Sequence, residues 1–429
     1  MQNLTCYTDD MLRLRRTIHR HPEEGWTEFE TTALVVQTLE QLGYDVQLGT
    51  AVVNPEAVMG RNPELVEKAQ QRAAAAGVSP DLLERMQGYT GAVAVLDTGR
   101  PGPTSAFRFD MDCVLVEETQ CPEHVPNAEG FASEYPGLMH SCGHDAHTAT
   151  GLTLARWLVD NRESLCGRIK LIFQPAEEGT RGGAAMAAAG VVDDVDWFFG
   201  AHVGAGCVLG EIGVIRSGFL ATTKIDVFFK GTPSHAGNDP EKGHSALMAA
   251  AQCAVALQGI PRHGQGATRI AIGTLHAGEG RNVTPVHARM QIEVRGDTHD
   301  INQYMVHKVD AIVKGIAAAN EVEGWWVKTG EAPNMESSGT ASDLLEETAR
   351  ELVGSDRVRV FTRTGGSEDC ASLMRRAQAH GAKAGFFLYG CNQNGHHRAD
   401  FDIQDTESLP LALAMLTGLV RRINGSCAK

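Results

Sequence analysis

Between residues 145 and 203 the hydrophobic pattern switches repeatedly between the 3.6-residue period of a helix and the short apolar run of a buried strand. Helical spacing from Asp145 to Leu158 gives way to a β-type run, Arg168 to Phe173, that stops before Pro175. A helix over Gly182 to Ala189 then leads into a second buried strand, Trp197 to Val203. This alternation predicts an α/β fold on a doubly wound, mostly parallel sheet, with ligands at the carboxyl ends of its strands. Upstream, Val35, Val36, Leu39 and Leu42 predict a helix stopped by Gly43, and Ala92 to Leu96 and Ser105 to Phe109 read as strands. Residues 52 to 88, rich in Ala and Glu and punctuated by Pro63, Gly77 and Pro80, are expected to make two short surface helices.

Residues 217 to 330 follow a different pattern. Two β-runs, Thr222 to Lys230 and Arg269 to Leu275, flank a small-residue helix over Ser245 to Leu257. A third run, Arg289 to Arg295, precedes a helix from Ile301 to Asn320. The β-α-β-β-α order predicts a smaller α+β domain inserted into the larger one, which then occupies 1–216 and 331–429. Helices near Ala341 and Leu373 and a strand at Ala384 to Tyr389 resume the first pattern.

Composition narrows the partners. Lys+Arg number 38 against 53 Asp+Glu, a formal charge of -15, and no basic run is present. Nucleic acid and anionic membrane surfaces are therefore poor partners. The longest apolar stretch, Ala246 to Leu257, is far short of the ~18–20 residues of a membrane span. The first 25 residues carry no apolar signal core, so a cytoplasmic location is expected. Ten cysteines are dispersed without a CxxC pair, unlike a disulfide framework or zinc ribbon. Only Cys142 has neighbours that argue for chemistry.

Four polar segments follow predicted strands or open predicted helices. His140-Ser141-Cys142-Gly143-His144-Asp145 places Cys and His two apart across a glycine that permits a tight turn. Gln174-Pro175-Ala176-Glu177-Glu178-Gly179 offers adjacent carboxylates that point in different directions, so one can bind metal while the other acts as base. His202 ends a buried strand, and His396-His397 lies in a glycine-rich loop near the C-terminus. Each segment alone has a plain reading as a helix cap, acidic turn, core histidine or solvated loop. Together they supply one thiolate, three imidazoles, a carboxylate and a spare carboxylate. That inventory suits a pair of zinc or manganese ions better than a calcium cage, and suits metal-assisted amide hydrolysis. No GxSxG elbow, HExxH helix or P-loop competes with it.

At these residues the chain resembles the co-catalytic metallopeptidase and amidohydrolase family, which includes aminoacylases, carboxypeptidase G and auxin-conjugate hydrolases. Matching pieces run in order along the chain: Arg108-Phe109-Asp110-Met111-Asp112, Met139 to Asp145, Pro175 to Gly179, His202, Gly366-Ser367-Glu368-Asp369, and His397. The resemblance implies two divalent ions, manganese or zinc, with Cys142, His144, Glu178, His202 and His397 as ligands. It makes Glu177 the general base and has Asp112 orient a ligand. His397 is preferred to His396 because His397-Arg398-Ala399-Asp400-Phe401 fits the family's terminal His-x-x-x-Phe pattern. Ser141 replaces a usual alanine and Arg398-Ala399 a usual Ser-Pro, and neither removes a ligand. The implied reaction is hydrolysis of the amide bond of N-aroyl or N-acyl amino acids. Members that cleave aroyl-glutamate amides are nearest, by the insert at 52 to 88 and the segment between Asp112 and Met139. Members that cleave indole-acetyl-aspartate come next, and aminoacylases or dipeptidases of the same family after them. Residues 217 to 330 resemble the family's lid and dimerisation domain, in which His235, Asn282 and Arg295 match substrate-reaching positions. The implied assembly is a homodimer, or a heterodimer with a related B-type subunit. The reading from another class is a catalytically silent subunit, and the intact Glu177 argues against it.

Overall fold

The strands that alternate with helices along the sequence assemble into one sheet. The computed structural model describes residues 4–425. In chain order its strands are β1 (Val46–Gln47), β2 (Ala92–Asp97), β3 (Thr104–Asp110), β4 (Arg168–Gln174), β5 (Trp197–Val203), β6 (Ile212–Ile215), β7 (Ala221–Lys230), β8 (Thr268–Ala277), β9 (His287–Gly296), β10 (Glu323–Ala332), β11 (Val358–Phe361) and β12 (Lys383–Tyr389). The chain divides into two units. The first comprises everything described up to Gly218, Glu336–Arg363, and Asp369 onward; the second comprises Phe219–Met335 and Thr364–Glu368.

The first unit holds an eight-stranded sheet in the order β1-β2-β4-β3-β5-β12-β6-β11. Its central block, β4, β3, β5 and β12, is parallel throughout, while β1, β2 and β6 introduce antiparallel pairs. Parallel strands bury both faces, which is why β3 is buried throughout and β4 nearly so, and why their sequences read as apolar runs rather than alternations. The carboxyl ends of β3, β4, β5 and β12 therefore lie side by side, and the segments that follow them carry the chemistry.

Helix His144–Asp160 packs on β3 and is buried at 14 of its 17 residues, so it shows little amphipathic contrast. A Cβ on its Gly151 would fall 2.6 Å from the Phe109 ring, a distance only glycine allows. The insert forms two helices, Pro63–Ala75 and Pro80–Met86, each with proline in its first turn and capped by Asn62 or Ser79.

Two flanking helices, Thr5–Arg20 and Asp405–Asn424, were not expected from sequence. In the first, the buried stripe Tyr7, Met11, Arg15, Ile18 is interrupted by a charged residue; in the second, Pro410 lies inside the helix. Strand β11 was also unexpected: its four residues stay partly exposed at the sheet edge.

The second unit is a four-stranded antiparallel sheet, β10-β7-β9-β8, with helices Ala246–Gln258 and His299–Ala319 packed on one face. Val227, Phe229, Met290, Ile292, Met305 and Val309 form the centre of its core. Ser245 and Thr298 cap the two helices by accepting from Met248 N and Ile301 N. β10 adds a sixth element to the expected five and carries the unit past 330 to Met335, because it pairs along β7 from Glu323 to Ala332. Its charge-rich sequence, with Trp325 and Val327 exposed, hides that pairing. Among the described residues no helix is long and apolar enough to cross a membrane.

Candidate metal centre

The turn after β4 is built around Asp112, two residues beyond β3. Asp112 Oδ1 accepts from Glu177 N (3.0 Å) and its Oδ2 from Glu178 N (2.9 Å). One buried carboxylate thus fixes both candidate acids. Ala176 (φ 50°), Gly179 (φ 81°) and Thr180 (φ 57°) all adopt the left-handed conformation, and non-glycine residues are held there only when surroundings over-determine them. Glu28 adds a further restraint by accepting from Ala176 N at 2.7 Å. Gly143, with φ 90°, opens the helix that carries His144, and a Cβ there would lie 2.4 Å from Val203 Cγ1.

The hydrogen-bond partners of the histidines set their tautomers. His144 Nδ1 lies 2.8 Å from the Asp112 carbonyl and His202 Nδ1 lies 2.8 Å from the Val203 carbonyl. A carbonyl only accepts, so each ring carries a proton on Nδ1 and turns Nε2 towards the cluster. His144 Nε2 is buried with no hydrogen-bond partner, and His202 Nε2 sits 3.4 Å from Cys142 Sγ. The donor atoms of Cys142, His144 and His202 lie within 4.8 Å of one another, as do those of Cys142, Glu178 and His397. Cys142 belongs to both groups. His397, at φ 59°, brings Nε2 to 3.0 Å from Glu178 Oε1. Its neighbour His396 points elsewhere, with Nε2 3.2 Å from the Val203 carbonyl.

Glu177 stands beside this set, its Oε2 4.0 Å from His144 Nε2. Burial, with the Glu178 carboxylate next in importance, pushes the Cys142 thiol well above its usual range. A cation would reverse that balance. Buried imidazole nitrogens, a buried thiol and a carboxylate gathered in overlapping groups are the donors divalent transition ions take, so the residues fit such ions.

His235 and Asn282 are neighbours in the second unit: Ala236 N donates to the Asn282 carbonyl, and His235 bridges Val283. His235 Nδ1 accepts from Gly237 N and Asn238 N, both at 3.1 Å. Arg295 lies at the opposite end of β9. It pairs with Glu293 at 3.0 Å and donates to the Gly365 carbonyl, so the structure does not group it with the other two.

The description of peptidase family M20/M25/M40 matches residues 106–422. The chain belongs to this family. It is 44% identical over 417 residues to a p-aminobenzoyl-glutamate hydrolase homolog of Haemophilus influenzae, covering 97% of this chain and 98% of that one. It is 43% identical to the indole-3-acetyl-aspartic acid hydrolase of Enterobacter agglomerans, covering 97% and 95%. The crystal structure of an aminobenzoyl-glutamate utilization protein from Klebsiella pneumoniae superposes with TM-score 0.81 at 38% identity, covering 98% and 96%. A dinuclear metal-binding M20 peptidase from Bacillus subtilis superposes with TM-score 0.67 at 25% identity, covering 97% and 98%.

In this M20 chain three groups around the centre escaped sequence reasoning as site residues. Asp110 and His147 lie against His144; Asp110 stood in the matching segment Arg108 to Asp112 without a role, and His147 was signalled only by its place three residues after His144, on the same helical face. Arg108 joins Asp110 (2.5 Å) to Asp369 (3.1 Å), a contact across 261 residues that no local pattern reveals. Burial would raise the Asp110 pKa, but Arg108, His144 and His147 outweigh it and hold the carboxyl well below its usual range.

Proposed function

We propose that this M20 chain is a two-metal amidohydrolase that cleaves p-aminobenzoyl-glutamate to p-aminobenzoate and glutamate. The observation that carries the reading is the pair of three-donor groups sharing Cys142, with Glu177 fixed beside them by Asp112. Cys142, His144, Glu178, His202 and His397 are the proposed ligands of two manganese or zinc ions. Bound there, such a pair supplies Lewis acidity to the amide carbonyl and acidity to a water. Glu177 takes the proton of the attacking water and delivers it to the leaving nitrogen, so the amine departs neutral. Asp112 keeps Glu177 and Glu178 apart in role by holding both backbone amides on one carboxylate. His235, Asn282 and Arg295 are proposed to recognise the substrate, with Arg295 meeting its carboxylate. The assembly is proposed to be a cytoplasmic homodimer, or a heterodimer with a related B-type subunit.

The near-equal identity to an indole-3-acetyl-aspartic acid hydrolase favours one second reading, the same chemistry on indole-acetyl-aspartate. Metal-loaded protein assayed on both compounds and on N-acetyl amino acids separates these. The highest kcat/KM is expected on p-aminobenzoyl-glutamate. A higher value on indole-acetyl-aspartate would move the assignment. Two bound ions with no hydrolysis of any amide would leave a silent subunit.

A further inference from the structure

We infer that His147, held by Asp110, is a positioning residue that aims the metal-facing nitrogen of His202. The inference rests on the two-metal reading above and adds a residue to it.

His147 lies among the candidate ligands: its ring stacks on His144 at 5.4 Å between centroids and meets His202 edge-on at 4.7 Å. With Asp110 and His144 it also makes a group of donors within 4.8 Å, which would suit a further ion. Its hydrogen bonds argue otherwise. The backbone N–H of Val203 donates to His147 Nε2 at 3.0 Å, and an N–H can only donate. Nε2 is therefore unprotonated, the ring proton is on Nδ1, and Nδ1–H donates to Asp110 Oδ1 at 2.5 Å. Both ring nitrogens are consumed by the protein. His144 and His202 have the opposite arrangement, with Nδ1 tied to a carbonyl and Nε2 turned to the candidate ligands.

What His147 holds is the end of β5. Val203 is fixed at its N–H by His147 and at its carbonyl by His202 Nδ1–H, so the anchor of the His202 ring is itself anchored. Asp110 is in turn held by Arg108 at 2.5 Å through its other carboxylate oxygen. Partners that orient a ligating histidine typically command ~10–100-fold in metal affinity.

The test measures metal affinity by competition with a chromophoric chelator, using zinc alone, in wild type, His147→Leu and His147→Gln. Glutamine can accept from Val203 N–H and donate to Asp110; leucine can do neither. His147→Leu is expected to weaken one of the two ions by ~10–100-fold and leave the other nearly unchanged, with kcat recovering at excess zinc. His147→Gln is expected to stay within about threefold of wild type, since it keeps both hydrogen bonds. Unchanged affinity in His147→Leu, or equal loss of both ions, would overturn the inference. Failure of wild type to bind two ions would instead overturn the metal reading beneath it. Should His147→Leu not fold, nitrogen NMR of histidine-labelled wild type decides. His147 should keep its neutral Nδ1–H pattern on adding zinc, whereas a metal-induced shift of its Nε2 would make it a ligand and end the proposal.

Discussion

Glu178 and Glu177 are chain neighbours for which different tasks are proposed, and the difference lies in direction. Glu178 faces His397 and Cys142, while Glu177 faces His144 from the edge of the set. Glu178→Ala is expected to lose at least one ion by more than the ~10–100-fold that an outer partner controls. Metal analysis after dialysis checks this, and wild-type content would refute the assignment. Arg295 offers a sharper contrast with its own surroundings. If it recognises a carboxylate, Arg295→Ala raises KM for amino-acid amides by ~10-fold or more and leaves kcat nearly unchanged. If Arg295 serves only its pair with Glu293, both constants stay at wild-type values.

At the scale of elements, one guanidinium joins the helix Thr5–Arg20 to two distant segments. Arg15 contacts Asp145 at 2.9 Å in the first turn of the His144 helix, and Asp402 (2.7 Å) and Asp405 (3.0 Å) beyond the His397 loop. Removing one partner from a buried ion cluster leaves charge uncompensated, so Arg15→Leu is expected to cost about 3–5 kcal/mol in urea unfolding. A loss under ~1 kcal/mol, the level of an exposed pair, would contradict the role.

His19 belongs to the same cluster, 2.7 Å from Asp145 and 3.1 Å from Glu118. Burial disfavours its charge, but its bonds to Asp145 and Glu118 outweigh burial and raise the pKa from 6.5 to about 9. Because the folded value is the higher one, the stabilisation is complete below about pH 6.5 and disappears as pH rises towards 9. The stability gap between wild type and His19→Gln should therefore shrink over that interval by as much as ~3 kcal/mol. A gap independent of pH would contradict a charged His19.

The candidate donor cluster was more legible in the sequence than its supports were. Cys142, His144, Glu177, Glu178 and His202 each follow a strand or open a helix, so their placement at the carboxyl ends of the strands was legible from the alternation alone. His397 over His396 was legible only by resemblance, since both share a loop and differ by backbone conformation. The long-range contacts of Arg15 and Arg108 were invisible because the carboxylates lie up to 390 and 261 residues away. β10 was obscured for a related reason: its partner β7 lies far upstream, with Glu323 opposite Lys230 and Ala332 opposite Thr222, and its exposed Trp325 and Val327 give no buried strand pattern.

Across the whole molecule, a metal set and a separate carboxylate base are proposed to act together on an amide. Glu177→Gln keeps the side chain's shape and removes its proton-accepting ability. Metal content and turnover of p-aminobenzoyl-glutamate measured on one sample of this variant therefore test that division of labour most directly. Two ions per chain with kcat lowered by ~10²-fold or more is the expected result. Two ions per chain with turnover within a few-fold of wild type would contradict it.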